Sequence, residues 1–189
     1  MVYVRNKELS LREMKTLRQR IQVFCLYYAS FPASERKTFS IILKKQQEGT
    51  TDVWCIEDDG RFAGFATTIN GENLILLDYL AVPKARRGMG IGTGCLRKLQ
   101  EKYAGKGLFV EIESVYEEGA GLAERQKRKE FYLRNGLKEL GVLADVFGVR
   151  MELLGRDCEL DFAGYRSFYR EYYSPWAAEH LEYVEFPKK

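Results

Sequence analysis

Histidine is nearly absent from this chain of 189 residues: there is one, His180, close to the end. That excludes multi-histidine metal sites, and no metal is expected. It also disfavours a serine–histidine–aspartate relay, because the one imidazole lies in a terminal segment. Any general base is therefore a carboxylate or a water. Cysteine is equally sparse. Cys25, Cys55, Cys95 and Cys158 lie far apart with no C-x-x-C pair, the pattern of reduced, mostly buried thiols in a cytoplasmic protein. No apolar run approaches the ~20 residues of a membrane span. The best candidate, NLILLDYLAV, is short and interrupted by Asp78. The N-terminal MVYVRNKELS is charged from residue 5 and lacks a signal-peptide core. Neither sign of charge dominates, with 30 Lys and Arg against 27 Asp and Glu, so neither nucleic acid nor a membrane is an expected partner.

What is present reads as one mixed α+β domain over residues 1–189. Met14, Leu17, Ile21, Phe24, Cys25 and Tyr28 recur at three- and four-residue intervals, predicting an amphipathic helix over 8–29. Pro32 marks a turn, and Ser34 is the expected N-cap of a second helix reaching about residue 47. Residues 51–82 read as three strands of a meander, joined by Asp-Asp-Gly and Asn-Gly turns. A helix to about 104, a strand at LFVEIESVY and a helix over 121–135 follow, and then two strands broken at Phe147-Gly148. The tail carries Phe162, Tyr165, Tyr169, Tyr172 and Trp176 at helical spacing, as core packing, a dimer seam or an acceptor lining. The sum is a twisted, mostly antiparallel sheet of six to seven strands with one βαβ crossover.

Between an apolar run and a helix lies VPKARRGMGIGTGCL, with glycines at 88, 90, 92 and 94 behind Arg86 and Arg87. Glycine-rich backbone opening a helix is a seat for a pyrophosphate. A P-loop requires a Gly-Lys-Ser/Thr ending, and here the residues are Gly92-Thr93-Gly94. A dinucleotide fingerprint wants glycine or alanine where Cys95 stands, and a run of βα units that does not follow. Arg87-Gly88-Met89-Gly90-Ile91-Gly92 fits R/Q-x-x-G-x-G/A throughout, and EFYLRNGLKELGV downstream supplies an aromatic-Tyr pair before Asn-Gly. Loop, strand and tyrosine helix together resemble the GNAT superfamily of acyl-CoA-dependent N-acetyltransferases over residues 50–155.

The resemblance implies acetyl-CoA as co-substrate and a small-molecule or peptide amine as acceptor. It implies a coenzyme loop of Arg87, Gly88, Met89, Gly90, Ile91, Gly92 and Thr93, with backbone N–H groups of Leu80, Ala81 and Val82 on the acetyl and pantetheine arm. Tyr132 falls where the family places the acid for the leaving thiolate. Glu111 falls where some members place a base, and Asp78 and a relayed water stay open as rivals. Glu111 and Glu113 share one strand face, with Val110 and Ile112 opposite, so Glu111 is expected to be partly desolvated. Two departures stand out: Glu111 and Tyr132 are 21 positions apart, longer than the family spacing, and Arg125 occupies a position often held by asparagine. The basic run at 125–129 reads as a solvated helix face or a phosphate cradle. A non-catalytic acyl-CoA-binding module is the alternative from another class.

Overall fold

A computed structural model describes residues 9–187. The strands are β1 (Leu9–Glu13), β2 (Thr51–Asp58), β3 (Arg61–Asn70), β4 (Leu74–Ala81), β5 (Gly107–Glu113), β6 (Lys138–Val146), β7 (Val149–Arg156) and β8 (Leu181–Val184). The helices are α1 (Leu17–Ser30), α2 (Phe39–Gln47), α3 (Ile91–Lys102), α4 (Leu122–Arg134), α5 (Phe162–Phe168) and α6 (Pro175–Glu179). All eight strands form one sheet in the order β1-β2-β3-β4-β5-β7-β6-β8. β4 and β5 are parallel and joined through α3, because a parallel pair needs a crossover that a tight turn cannot provide. β1 on β2, β5 on β7, β6 on β7 and β6 on β8 are antiparallel.

The sheet has eight strands where six to seven were expected. β8 and β1 are the elements that periodicity missed. Residues 8–29 do not form one helix: Leu9–Glu13 pairs with β2, and the helix starts only at Leu17. Thr16 caps it, with Gln19 answering in a capping box that separates strand from helix. The second helix also starts late. A 3-10 turn occupies Ala33–Glu35, and α2 opens at Phe39 behind Thr38. The meander, the α3 and α4 helices and the Phe147-Gly148 hairpin fall where expected. The two hairpin turns that need left-handed backbone are Asp59-Gly60 and Phe147-Gly148, each with positive φ at both residues.

Contacts divide the described chain into two compact units. One holds the residues up to Thr68 with Asp78–Lys102, and the other holds Ile69–Leu77 with the residues from Tyr103. The first builds its core from Val23, Tyr27, Phe39, Ile42, Val53, Cys55, Phe65 and Tyr79. The second buries Leu76, Phe109, Leu153, Tyr165, Phe168 and Tyr169, so much of the aromatic tail is packing of its own unit. Trp176, at 62% exposure, stays at the surface, stacked on Phe147. Among the described residues no helix is long and apolar enough to cross a membrane, and no cluster of residues could hold a metal ion.

Candidate functional site

The first unit holds the glycine loop. β4 ends at Ala81, a 3-10 turn at Lys84–Arg86 follows, and Gly88 and Gly90 take φ of +77° and +80°. A side chain at either would meet no atom within 4 Å, so the left-handed backbone, not crowding, requires glycine there. The first helical hydrogen bond of α3 runs from the Gly94 N–H to the Gly90 carbonyl at 2.9 Å. The N–H groups of Ile91, Gly92 and Thr93 therefore precede the helical ladder, at the positive end of a twelve-residue helix.

The four alternating glycines do different jobs. Gly94 belongs to packing: a Cβ there would lie 2.6 Å from Leu9 Cδ2 on β1. The two arginines divide as well. Arg86 ion-pairs with the buried Asp58 and donates to the Phe62 carbonyl at 3.3 Å, tying the turn to the β2–β3 hairpin. Asp58 Oδ1 has no hydrogen-bond partner, so Arg86 is what offsets the burial of that carboxylate. Arg87 is exposed, with its Nε donating to the Val82 carbonyl at 3.2 Å. Gly64 of β3 explains how the strand end at Leu80, Ala81 and Val82 is approached so closely, since a Cβ there would stand 2.5 Å from the Ala81 carbonyl oxygen. Asp78, on the same strand, pairs with Lys37 Nζ at 2.7 Å, and both side chains are largely buried.

The second unit holds Glu111 and Tyr132. Glu111 lies on β5 opposite Leu153, half-buried, between the buried Val110 and Ile112. Its Oε1 accepts hydrogen bonds from Tyr165 at 2.8 Å and Tyr169 at 2.7 Å. Both phenols are raised well above their ordinary pKa, first by burial and then by the Glu111 charge, so they stay protonated donors. A hydrogen bond to a charged group contributes about 1.5–3 kcal/mol, so the two phenols together fix the orientation of this carboxylate. Sequence reading placed both tyrosines in the aromatic stripe. Their shared helix face was visible as an i, i+4 spacing; what it faced was not. Glu113, the neighbour on the same face, is engaged by Arg128 at 3.0 Å.

Tyr132, on α4, is 8% exposed and packs edge-on against Phe131. The basic run of α4 is only partly a solvated face: Gln126, Lys127 and Arg128 are exposed, and Arg125 and Lys129 turn inward. Arg125 donates to the carbonyls of Glu117 and Ala120, and Arg128 meets Glu113. Lys129 reaches Glu152 at 2.6 Å and Glu139 at 2.9 Å. Burial opposes the Lys129 charge, but the hydrogen bonds it donates to Glu139 and Glu152 outweigh it and raise the pKa. Glu152 also accepts from the Val115 N–H at 2.7 Å, and Arg150 meets Glu117, so the long 114–121 segment is pinned by α4 and β7.

A parallel β4–α3–β5 unit with a glycine loop at its first turn, set in a mostly antiparallel sheet, is the fold shared with solved GNAT acetyltransferases. Residues 49–139 match the family model described as the acetyltransferase (GNAT) domain. No curated protein matches in sequence. Among solved structures, a protein from Bacteroides thetaiotaomicron assigned to the GNAT acetyltransferases superposes with a TM-score of 0.71 at 20% identity, covering 87% of this chain and 98% of that one. An aminoglycoside 6'-N-acetyltransferase complexed with coenzyme A gives 0.63 at 17%, covering 78% and 96%. A dodecameric spermidine N-acetyltransferase from Vibrio cholerae gives 0.60 at 12%, covering 78% and 92%. At these identities the likeness carries the fold.

Proposed function

We propose that the protein is an N-acetyltransferase that moves an acetyl group from acetyl-CoA to a primary amine by direct transfer. The observation that carries this reading is the loop. Two left-handed glycines with open space around them lead into the N-terminus of α3, and Arg87 stands exposed beside them. That donor set fits a pyrophosphate, with Gly88, Met89, Gly90, Ile91, Gly92 and Thr93 supplying backbone and Arg87 a charge-assisted contact. Acetyl-CoA brings an activated thioester, and the remaining work falls to the chain. Backbone N–H groups at Leu80, Ala81 and Val82 polarise the thioester carbonyl. Glu111 takes the proton of the incoming ammonium, directly or through one water. The amine nitrogen then bonds to the acetyl carbon, the carbon–sulfur bond breaks as Tyr132 gives the departing sulfur a proton, and the second nitrogen proton passes to solvent, which reprotonates Tyr132.

The acceptor is a small-molecule or peptide amine. Polyamines and aminoglycosides, the acceptors named for two of the structural relatives, head the panel to try. Four free thiols, two of them fully buried, suit a cytoplasmic setting. The test is release of free coenzyme A thiol from acetyl-CoA across amines, aminoglycosides, polyamines and peptide N-termini. Tyr132→Phe should lower kcat by about 10²–10⁴ and leave coenzyme affinity nearly intact. Stoichiometric coenzyme binding with no thiol release across the panel would make the protein a binding module. Full turnover in Tyr132→Phe would demote that phenol to packing.

A further inference from the structure

Three acids of this chain that are turned inward meet cations: Asp58 meets Arg86, Asp78 meets Lys37 and Glu152 meets Lys129. Glu111 is treated differently. Its Oε1 accepts from two phenols that lie 54 and 58 positions away in the chain, on α5 and on the five-residue π turn, Tyr169–Tyr173, that continues it. The phenols steady it as neutral donors. They are themselves rigid: Tyr165 is fully buried, Tyr169 is 2% exposed, and Tyr169 stacks on Tyr173 with centroids 4.5 Å apart. The helix is started in register by Asp161, whose side chain accepts from the Gly164 N–H at 2.7 Å. The wide turn that follows carries Tyr169 to the same oxygen as Tyr165.

We propose that Tyr165 and Tyr169 are positioning residues for acetyl transfer, holding Glu111 in one orientation with its charge intact so that the proton acceptor is preorganised by the C-terminal segment. This rests on the reading of Glu111 as the base. Two donors on one carboxylate oxygen restrict the terminal torsion of the side chain, which two soft dihedrals would otherwise leave free. The phenols remain donors wherever the protein is folded and working, because burial and the neighbouring carboxylate keep them protonated.

The experiment is a double-mutant cycle on steady-state kinetics, using the full chain, acetyl-CoA and the best amine of the panel. Tyr169→Phe removes one hydroxyl and keeps the ring. It should lower kcat by about tenfold, the scale of one hydrogen bond to a charged group, with KM for acetyl-CoA unchanged. In a Glu111→Gln background the same substitution should change kcat by less than about twofold, because the tyrosine acts through the carboxylate. A loss that came from packing alone would be of equal size in both backgrounds, and that result overturns the inference. Tyr165→Phe repeats the cycle from the other donor should Tyr169→Phe fail to fold. Slow Glu111→Gln beside an unaffected Tyr169→Phe removes this inference alone. Wild-type turnover in Glu111→Gln removes the base reading as well.

Discussion

The glycine loop and the Glu111 cluster are built on opposite plans. In the loop, the groups proposed to meet a ligand are backbone N–H donors of consecutive residues, and side chains matter by being absent at Gly88 and Gly90. In the cluster, the proposed base is a side chain whose environment comes from tyrosines more than fifty residues away. A site made of local backbone is robust to most substitutions around it and fragile only at the positions with special φ. A site made of distant side chains depends on the whole packing of the α5 segment. The predictions that follow test that difference.

The largest effect belongs to the loop. Gly90→Asp puts a side chain on left-handed backbone and a negative charge where the phosphates are proposed to sit, so calorimetry should show acetyl-CoA binding weakened at least about tenfold. Gly94→Ala, only four residues on, meets Leu9 on β1 and should leave the affinity within about twofold. Equal losses in the two variants would mean that the loop works as a packed unit and the contrast between the regions is false.

The cluster should announce itself in alkali. Tyr165 and Tyr169 have folded pKa values above the ordinary 10.0, so their contribution to stability is complete below pH 10. As pH rises past 10 the unfolded chain ionises these phenols first, and native stability falls until the folded pKa is passed. Each such phenol steepens the loss by up to about 1.4 kcal/mol per pH unit. Urea midpoints measured at pH 8 and pH 11 should therefore separate less in Tyr165→Phe than in wild type. An unchanged separation would show that Tyr165 titrates normally and that its bond to Glu111 is not made.

The smallest effect is chemical and reports on the seat of α3. Cys95, on that helix behind the loop, is fully buried, as is Cys55, whose thiol burial pushes up to about 12; Cys25 is exposed. Native protein should react with a thiol reagent first at Cys25, and Cys25→Ser should remove that fast phase. Rapid labelling of Cys95 would place α3, and the loop it carries, elsewhere than described.

Some of this was legible before any coordinates. The α3 and α4 helices, the Asp-Asp-Gly turn and the Phe147-Gly148 hairpin all declare themselves within a few residues, through periodicity and through glycine at positive φ. The strand at 9–13 did not, because its alternation is short and runs into a capping box that also fits a helical reading. β8 did not either, since four residues after a helix carry too little pattern. Arg86 and Arg87 look alike in the sequence, and only Asp58 and the Phe62 carbonyl, more than twenty residues earlier, separate the strut from the exposed cation.

By itself, then, the order of residues determined the local grammar: where glycines free the backbone, where a helix can open, and which stretch resembles a coenzyme loop. These depend on neighbours within about four positions, the reach of a turn or of one helical hydrogen bond. Tertiary structure decided the rest: that Arg86 is structural, that Gly94 serves packing, that the basic run of α4 is answered by Glu113, Glu139 and Glu152, and that Glu111 is steadied by two phenols. The physical reason is that a side chain's charge and hydrogen bonding are set by whatever fills the space around it. In a close-packed interior that space is filled by residues far away along the chain.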